Sequence, residues 1–344
     1  MKRPRLLLTG LAAAVLLPAL GLMGLGWSRS KGLVSPRREA LRPEFAAMLA
    51  DPARHGLQIT KYTGPDDTPC LLVTPVTNPS AATNGDHLRA ELEKRRVTLP
   101  PWGSTAGTVV LLHGLSARKE DQLPICERLC AAGFRCILPD LPAHGENPAP
   151  LDTFGATEAP LVSRILSDAS QRFAFPPAPS FLFGFSQGGA MALRAAALHP
   201  NQWAGLVSVS AFGSLDVLVK NLAAGGLPRQ ARFLSPLVDS GYCLGIRSRG
   251  GYWPSAIRPV DFAAKVHVPV FLAHGEKDTA VPVDEARRIF AALPDARKSF
   301  RMVPGADHSS ILGENPAADG LYADICAFLL KTLDDRHPVI ERTE

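Results

Sequence analysis

Phe181-Leu-Phe-Gly184-Phe-Ser186-Gln187-Gly188-Gly189-Ala-Met-Ala192 runs an apolar stretch straight into Gly-x-Ser-x-Gly and on into an Ala-rich helical pattern. A chain that turns sharply from strand to helix puts the turn residue in a strained backbone conformation, so the residues around it must lack bulk. Gly184 and Gly188 meet that need. The pattern predicts that Ser186 projects its hydroxyl above the carboxyl edge of a sheet. There it would meet the start of a helix, whose free N–H groups favour developing negative charge.

Working outward, an acid and a base follow in the order Ser, Asp, His. Val268-Pro-Val-Phe-Leu-Ala-His274-Gly-Glu276-Lys-Asp278-Thr-Ala-Val-Pro282 is an apolar strand pattern ending in a loop with two carboxylates. Thirty residues after Asp278, Ser299-Phe-Arg-Met-Val303-Pro-Gly-Ala-Asp307-His308 repeats the design and delivers a His. A serine hydroxyl is too weakly acidic to attack a carbonyl unaided, so His308 would take its proton and return it to the leaving group. Asp278 would hold the imidazole tautomer, with Glu276 on the same loop as the reserve and Asp307 adjoining the His.

With these motifs in order the chain resembles the α/β-hydrolase family over about Gly56 to Leu333. Two further stretches carry the likeness. Val109-Val-Leu-Leu-His113-Gly114-Leu115 looks like the strand and His-Gly turn that supplies one oxyanion amide, and Ile137-Leu-Pro-Asp140-Leu-Pro-Ala-His144-Gly145 resembles the Asp-x-x-x-x-Gly stretch after the next strand. The resemblance implies an α/β-hydrolase fold, with a mostly parallel sheet flanked by helices and a small cap. It also implies a serine hydrolase cleaving carboxylic esters through an acyl-enzyme, with Ser186, Asp278 and His308 as the triad and the backbone N–H groups of Leu115 and Gln187 as oxyanion donors. Such a donor is worth roughly 3 kcal/mol of barrier. A serine peptidase or amidase of aminopeptidase type, or an acyltransferase, is the alternative on the same fold. The substrate would be a small-molecule ester or amide, and no cofactor is implied.

The hydropathy pattern fits this architecture. Strands are predicted near 109–113, 135–139, 180–185, 205–210, 268–274 and 299–303 with helical patterns between them, and their continuous apolar runs suit buried parallel strands. Leu57–Tyr62 and Pro69–Pro75 read as antiparallel strands before the parallel set, and residues 78–107 as an insertion with a solvated helix. The segment 212–265 falls where a cap would sit. Phe212, Phe233, Tyr242, Tyr252 and Trp253 are its candidate pocket or packing aromatics, and Gly241 to Gly251 suggests mobility. Seven Lys or Arg against three Asp in the cap favour neutral or anionic esters over a substrate ammonium.

Met1-Lys-Arg-Pro-Arg5 followed by apolar Leu6 to Trp27 reads as a secretory signal or a membrane anchor. Either implies export, with membrane attachment if the segment is uncleaved. The resulting division is leader or anchor 1–30, linker 31–55, hydrolase domain 56–333 and tail 334–344. Residues 1–42 hold eight Lys or Arg and one Glu, which accounts for the net charge of +5 and leaves 29 basic against 31 acidic residues elsewhere. The body has no basic excess for nucleic acid. Six cysteines do not make a disulfide scaffold, although Cys126, Cys130 and Cys136 are the first place to look for a bridge. The histidines do not fall at zinc-helix spacing, so no metal site is expected. His113, His144 and His274 read as bracing or packed residues and His199 as a helix terminus.

Overall fold

The computed structural model describes residues 3–79, 83–294 and 297–336, with only the backbone described for 3–15, 83 and 336. In chain order the elements are α1 (Arg3–Val34), α2 (Pro43–Ala50), β1 (Leu57–Thr63), β2 (Pro69–Pro75), α3 (Thr83–Lys94), β3 (Gly107–Leu112), α4 (Leu123–Ala131) and β4 (Phe134–Pro139). They continue with α5 (Ala159–Arg172), β5 (Ser180–Phe185), α6 (Gln187–Leu198), β6 (Gly205–Val209), α7 (Leu215–Gly225) and α8 (Ser235–Gly250). The last are α9 (Val260–Ala263), β7 (Val270–Gly275), α10 (Val283–Ala292), β8 (Lys298–Val303) and α11 (Pro316–Arg336).

One sheet of eight strands runs in the order β1-β2-β4-β3-β5-β6-β7-β8. β1 and β2 pair antiparallel at one side, β2 pairs antiparallel with β4, and every later pairing is parallel. The strands from β3 to β7 are buried almost throughout because helices cover both faces, which is why their sequences do not alternate. Each face has its own apolar core. Leu71, Val109, Leu111, Phe134, Phe181 and Phe183 share one with α4 and α11; Val110, Leu112, Leu182 and Trp203 share the other with α5 and α6. The β3–β5 register sets Leu112 beside Gly184, so the two strands end together and deliver their loops to one place.

The cap between β6 and β7 consists of α7, α8 and α9. A third core joins it to α1: Leu33 and Val34 pack with Phe154, Phe212, Val219, Val238, Tyr242 and Ile246. Phe212 faces inward, whereas Phe233 and Trp253 are exposed. The glycines read as a sign of mobility serve close approach instead. A Cβ on Gly241 would strike the carbonyl of Met23, and one on Gly245 the hydroxyl of Ser30.

Residues 31–55, expected as a linker, hold the last turn of α1 and all of α2, which buries Phe45 and Met48 in the first core. α11 continues to Arg336, past the expected domain end, and 337–344 lie outside the described residues. Much of the apolar run from Leu6 likewise has no described side chains. Among the described residues no helix is long and apolar enough to cross a membrane.

β5 carries the nucleophile turn, so its anchoring decides more than local packing. Phe181 is fully buried and meets Phe134 edge-on at 5.7 Å. We expect Phe181→Ala to lower unfolding free energy by about 3–5 kcal/mol in urea denaturation, as removal of a core aromatic does.

Candidate active site

Ser186 stands between β5 and α6 with φ 53° and ψ −115°, a region that side chains other than glycine rarely adopt. The turn closes only because its neighbours are bare: a Cβ on Gly184 would collide with the Gly188 carbonyl, and one on Gly188 with that of Leu112. The Ser186 N–H donates to Val209 O at 2.8 Å, which ties the turn to the next strand.

His308, on the loop after β8, bridges the other two predicted residues. Its Nδ1 lies 2.6 Å from Asp278 Oδ2 and its Nε2 3.0 Å from Ser186 Oγ. With Nδ1–H donated to the carboxylate, Nε2 is left to accept the serine proton. The Phe185 ring tilts against the imidazole at 5.1 Å and backs it.

Asp278 is buried, and its Oδ1 accepts the N–H groups of Ala280 and Val281 at 3.0 and 2.8 Å. The reserve carboxylate Glu276 points elsewhere and accepts Gly305 N–H at 2.9 Å. Asp307 turns into its own loop, where the N–H of Ser310 leads a set of Ser309 and Ser310 donors that hold its carboxyl down at about 2. Of the three acids, only Asp278 meets the His.

Gln187 is the first residue of α6, so its N–H belongs to the opening turn that lacks intrahelical acceptors. Leu115 and Gln187 line one cavity together with Ser186 and His308. Two further histidines brace the loops around the site. His113 Nδ1 donates to Gly114 O at 2.8 Å and its Nε2 accepts Leu141 N–H at 3.0 Å, so the imidazole spans two loops. His144 bonds Pro142 O at 2.8 Å and meets His113 edge-on. The Asp-x-x-x-x-Gly stretch has a similar reason: Asp140 accepts the N–H groups of Lys119 and Glu146, both at 2.8 Å, and a Cβ on Gly145 would strike its carboxylate.

Two cavities flank His308. The smaller, about 270 Å³, touches Ser186, Gln187 and Leu115 and is walled by Phe154, Phe212, Leu218, Leu222 and Val281. The larger, about 600 Å³, touches His308 but not Ser186 and mixes Phe45, Ile125 and Leu312 with Arg42, Asp121 and Arg128. Sequence reading missed this second wall, because Arg42 and Phe45 lie in a stretch with no motif. It also missed Asp152, buried on the loop before α5, whose Oδ2 accepts the Gln187 side-chain N–H at 2.5 Å. Burial, reinforced by the nearby Glu158 charge, pushes the Asp152 carboxyl well above the usual range.

All six cysteines are free thiols, and the cluster of Cys126, Cys130 and Cys136 is buried in the first core. Among the described residues no group of three or more His, Cys, Asp or Glu is placed to hold a metal ion.

Residues 107–240 match the family model described as alpha/beta hydrolase fold. The caffeoylshikimate esterase of Arabidopsis thaliana is 24% identical over 248 residues, 63% of this chain and 75% of that protein. Among solved structures, the Pyrococcus furiosus esterase Pf2001 superposes with a TM-score of 0.58 at 17% identity, over 87% of this chain and 97% of its own. A bacterial membrane phospholipase A gives 0.52 at 16% identity over 96% and 99%. With the strand order and the serine turn, these likenesses show that the chain has the alpha/beta hydrolase fold.

Burial holds His113 at about 4 and His144 at about 3, against 6.5 for a free imidazole. Their folded values are depressed, so the unfolded chain binds more protons as pH falls from about 6.5 towards 4, and stability drops across that window. The His113 shift alone corresponds to an order of 3 kcal/mol. We expect the urea midpoint to fall steadily from pH 7 to 4.5, and His144→Asn, which keeps a donor for Pro142 O, to flatten that slope.

Proposed function

We propose that the protein is a serine hydrolase of carboxylic esters working through an acyl-enzyme. The observation that carries this reading is His308 bonded at once to Ser186 Oγ and Asp278 beside an apolar cavity. Ser186 attacks the ester carbonyl as His308 takes its proton, and the imidazolium is stabilised by Asp278. The N–H groups of Leu115 and Gln187 receive the oxyanion. His308 then protonates the departing alkoxide, and water repeats the sequence to release the acid.

The two cavities divide the substrate between them. The acyl group becomes bonded to Ser186, so it belongs in the cavity that serine touches, among Phe154, Phe212, Leu218 and Leu222. The leaving alcohol takes its proton from His308, so it belongs in the larger cavity that touches His308 and carries Arg42, Asp121 and Arg128. Among the described residues no carboxylate lines the acyl cavity, which disfavours an aminopeptidase that must pair a substrate ammonium there.

Hydrolysis of a p-nitrophenyl acyl ester series beside aminoacyl and peptidyl p-nitroanilides tests this reading. Esters should be turned over with a maximum at one acyl length, and Ser186→Ala should lower kcat by about 10⁴-fold or more. Preference for anilides would favour the peptidase alternative, and equal rates in parent and variant would sink the triad.

We also infer that the protein is exported and held at a membrane by the start of the apolar segment Leu6–Trp27, before the residues that pack on the cap. The basic residues before that segment and the exposed Leu16, Leu17 and Leu20 on α1 support this. The full chain should sediment with membranes and resist carbonate extraction. Recovery in the soluble fraction at full length would overturn the attachment.

A further inference from the structure

α1 is more intimately joined to the cap than an appended anchor would need to be. It packs along α8 through small residues on both helices, Gly26 and Ser30 facing Gly241 and Gly245. A Cβ at Gly26 would strike the Val238 carbonyl, so the two backbones lie as close as helices can. Arg249 of α8 then reaches across the seam: its guanidinium donates to Trp27 O at 2.8 Å and to Ser30 Oγ at 2.6 Å, and stacks on the Trp27 ring at 4.7 Å.

The lower ends of both helices converge on one residue. Asp152 N–H donates to Val34 O, the last residue of α1, at 2.8 Å. Tyr252, just past the end of α8, donates its hydroxyl to Asp152 O at 3.0 Å. The Asp152 side chain faces the other way. Its Oδ2 accepts the Gln187 side-chain N–H at 2.5 Å, while its Oδ1 accepts Phe154 N–H at 2.8 Å and fixes the ring that walls the acyl cavity. Both Asp152 and Gln187 are 1% exposed, so no solvent competes for these bonds.

We propose that Asp152 is a positioning residue through which the α1–α8 pair holds the Gln187 amide in register with Ser186. Helix α1 is then a working part of the enzyme. Cleavage near Gly21 or Gly26 would leave Val34 and its bond to Asp152 in the chain while shortening the α1 face that packs on α8. The inference rests on the ester-hydrolase reading for its assay but not for its geometry.

The test uses the full-length protein, with kcat counted per active site titrated by a fluorophosphonate. Asp152→Asn and Tyr252→Phe each disturb the junction with little change of volume, and Gly241→Leu wedges α1 from α8. We expect each to lower kcat by about tenfold or less with KM within about twofold, the pattern of an interaction made mainly in the transition state. The Ki of an acyl trifluoromethyl ketone, which must place an oxyanion, should rise in proportion. The double variant Asp152→Asn/Gly241→Leu should lose no more than the worse single one, because both changes cut the same linkage.

Unchanged kcat and ketone affinity in Asp152→Asn and Tyr252→Phe would overturn the proposal, as would effects of positions 152 and 241 that multiply. If the parent turns over no ester, the function reading fails by itself. The rate of Ser186 labelling by the fluorophosphonate then decides: slowing in the same three variants supports the linkage, and an unaltered rate refutes it.

Discussion

The backbone of Ser186 sits at a positive φ, and the rest of the site depends on that strained turn being held. Such a conformation costs of order 1–3 kcal/mol and persists only where its surroundings over-determine it. Here they do. β5 lies in the middle of the sheet between β3 and β6, so the strand feeding the turn is paired on both sides. Gly184 and Gly188 let the chain fold back within van der Waals contact of itself, and the Ser186 N–H is pinned to Val209 on β6. The helix that follows opens with the amide an oxyanion would need, so one constraint orients the hydroxyl and the donor together.

The remaining site residues arrive on the same edge because parallel strands share a carboxyl end. β3 brings Gly114 and Leu115, β7 brings Asp278 and β8 brings His308. None of these loops is braced by its own residues alone. His113 joins the loop after β3 to that after β4, Glu276 fastens the turn that leads to His308, and Asp152 joins the loop before α5 to α6. Outside the sheet, the third apolar core gives α1, the cap and the cavity beside Ser186 a common wall through Phe154 and Phe212. The cavity beside Ser186 and the seating of the N-terminal helix therefore share side chains.

How much of this can be read from the sequence follows from how local each constraint is. Ser186, Asp278 and His308 each end an apolar strand pattern, and the glycines around the serine are demanded by its own backbone, so short motifs reveal them. The strands from β3 to β7 are legible for the same reason, since a buried parallel strand has to be apolar throughout. Asp152 is invisible in this way. It sits in an irregular loop, and its partners Val34, Gln187 and Tyr252 are distant in the chain. Gly241 and Gly245 look like flexibility until a second helix is laid against them, because close packing and mobility call for the same residue. Phe45 and Met48 are likewise too few and too isolated to announce that the segment before β1 enters the core.

Asp278 illustrates how the surroundings choose among similar groups. Two imidazoles approach Asp278 Oδ2, His308 at 2.6 Å and His274 at 3.4 Å. His274 is fully buried, its Nε2–H is donated to Val281 O at 2.7 Å, and burial holds it below the ordinary imidazole range. It therefore stays neutral and leaves the carboxylate's charge for the other ring. His308 is partly exposed, and its Nε2 faces the serine. Among the described residues an imidazolium formed there would be the one cation in contact with that oxygen, and the N–H groups of Ala280 and Val281 occupy the other. A buried neutral histidine beside the acid thus fills space without competing for its charge, which leaves the carboxylate to the ring bonded to Ser186.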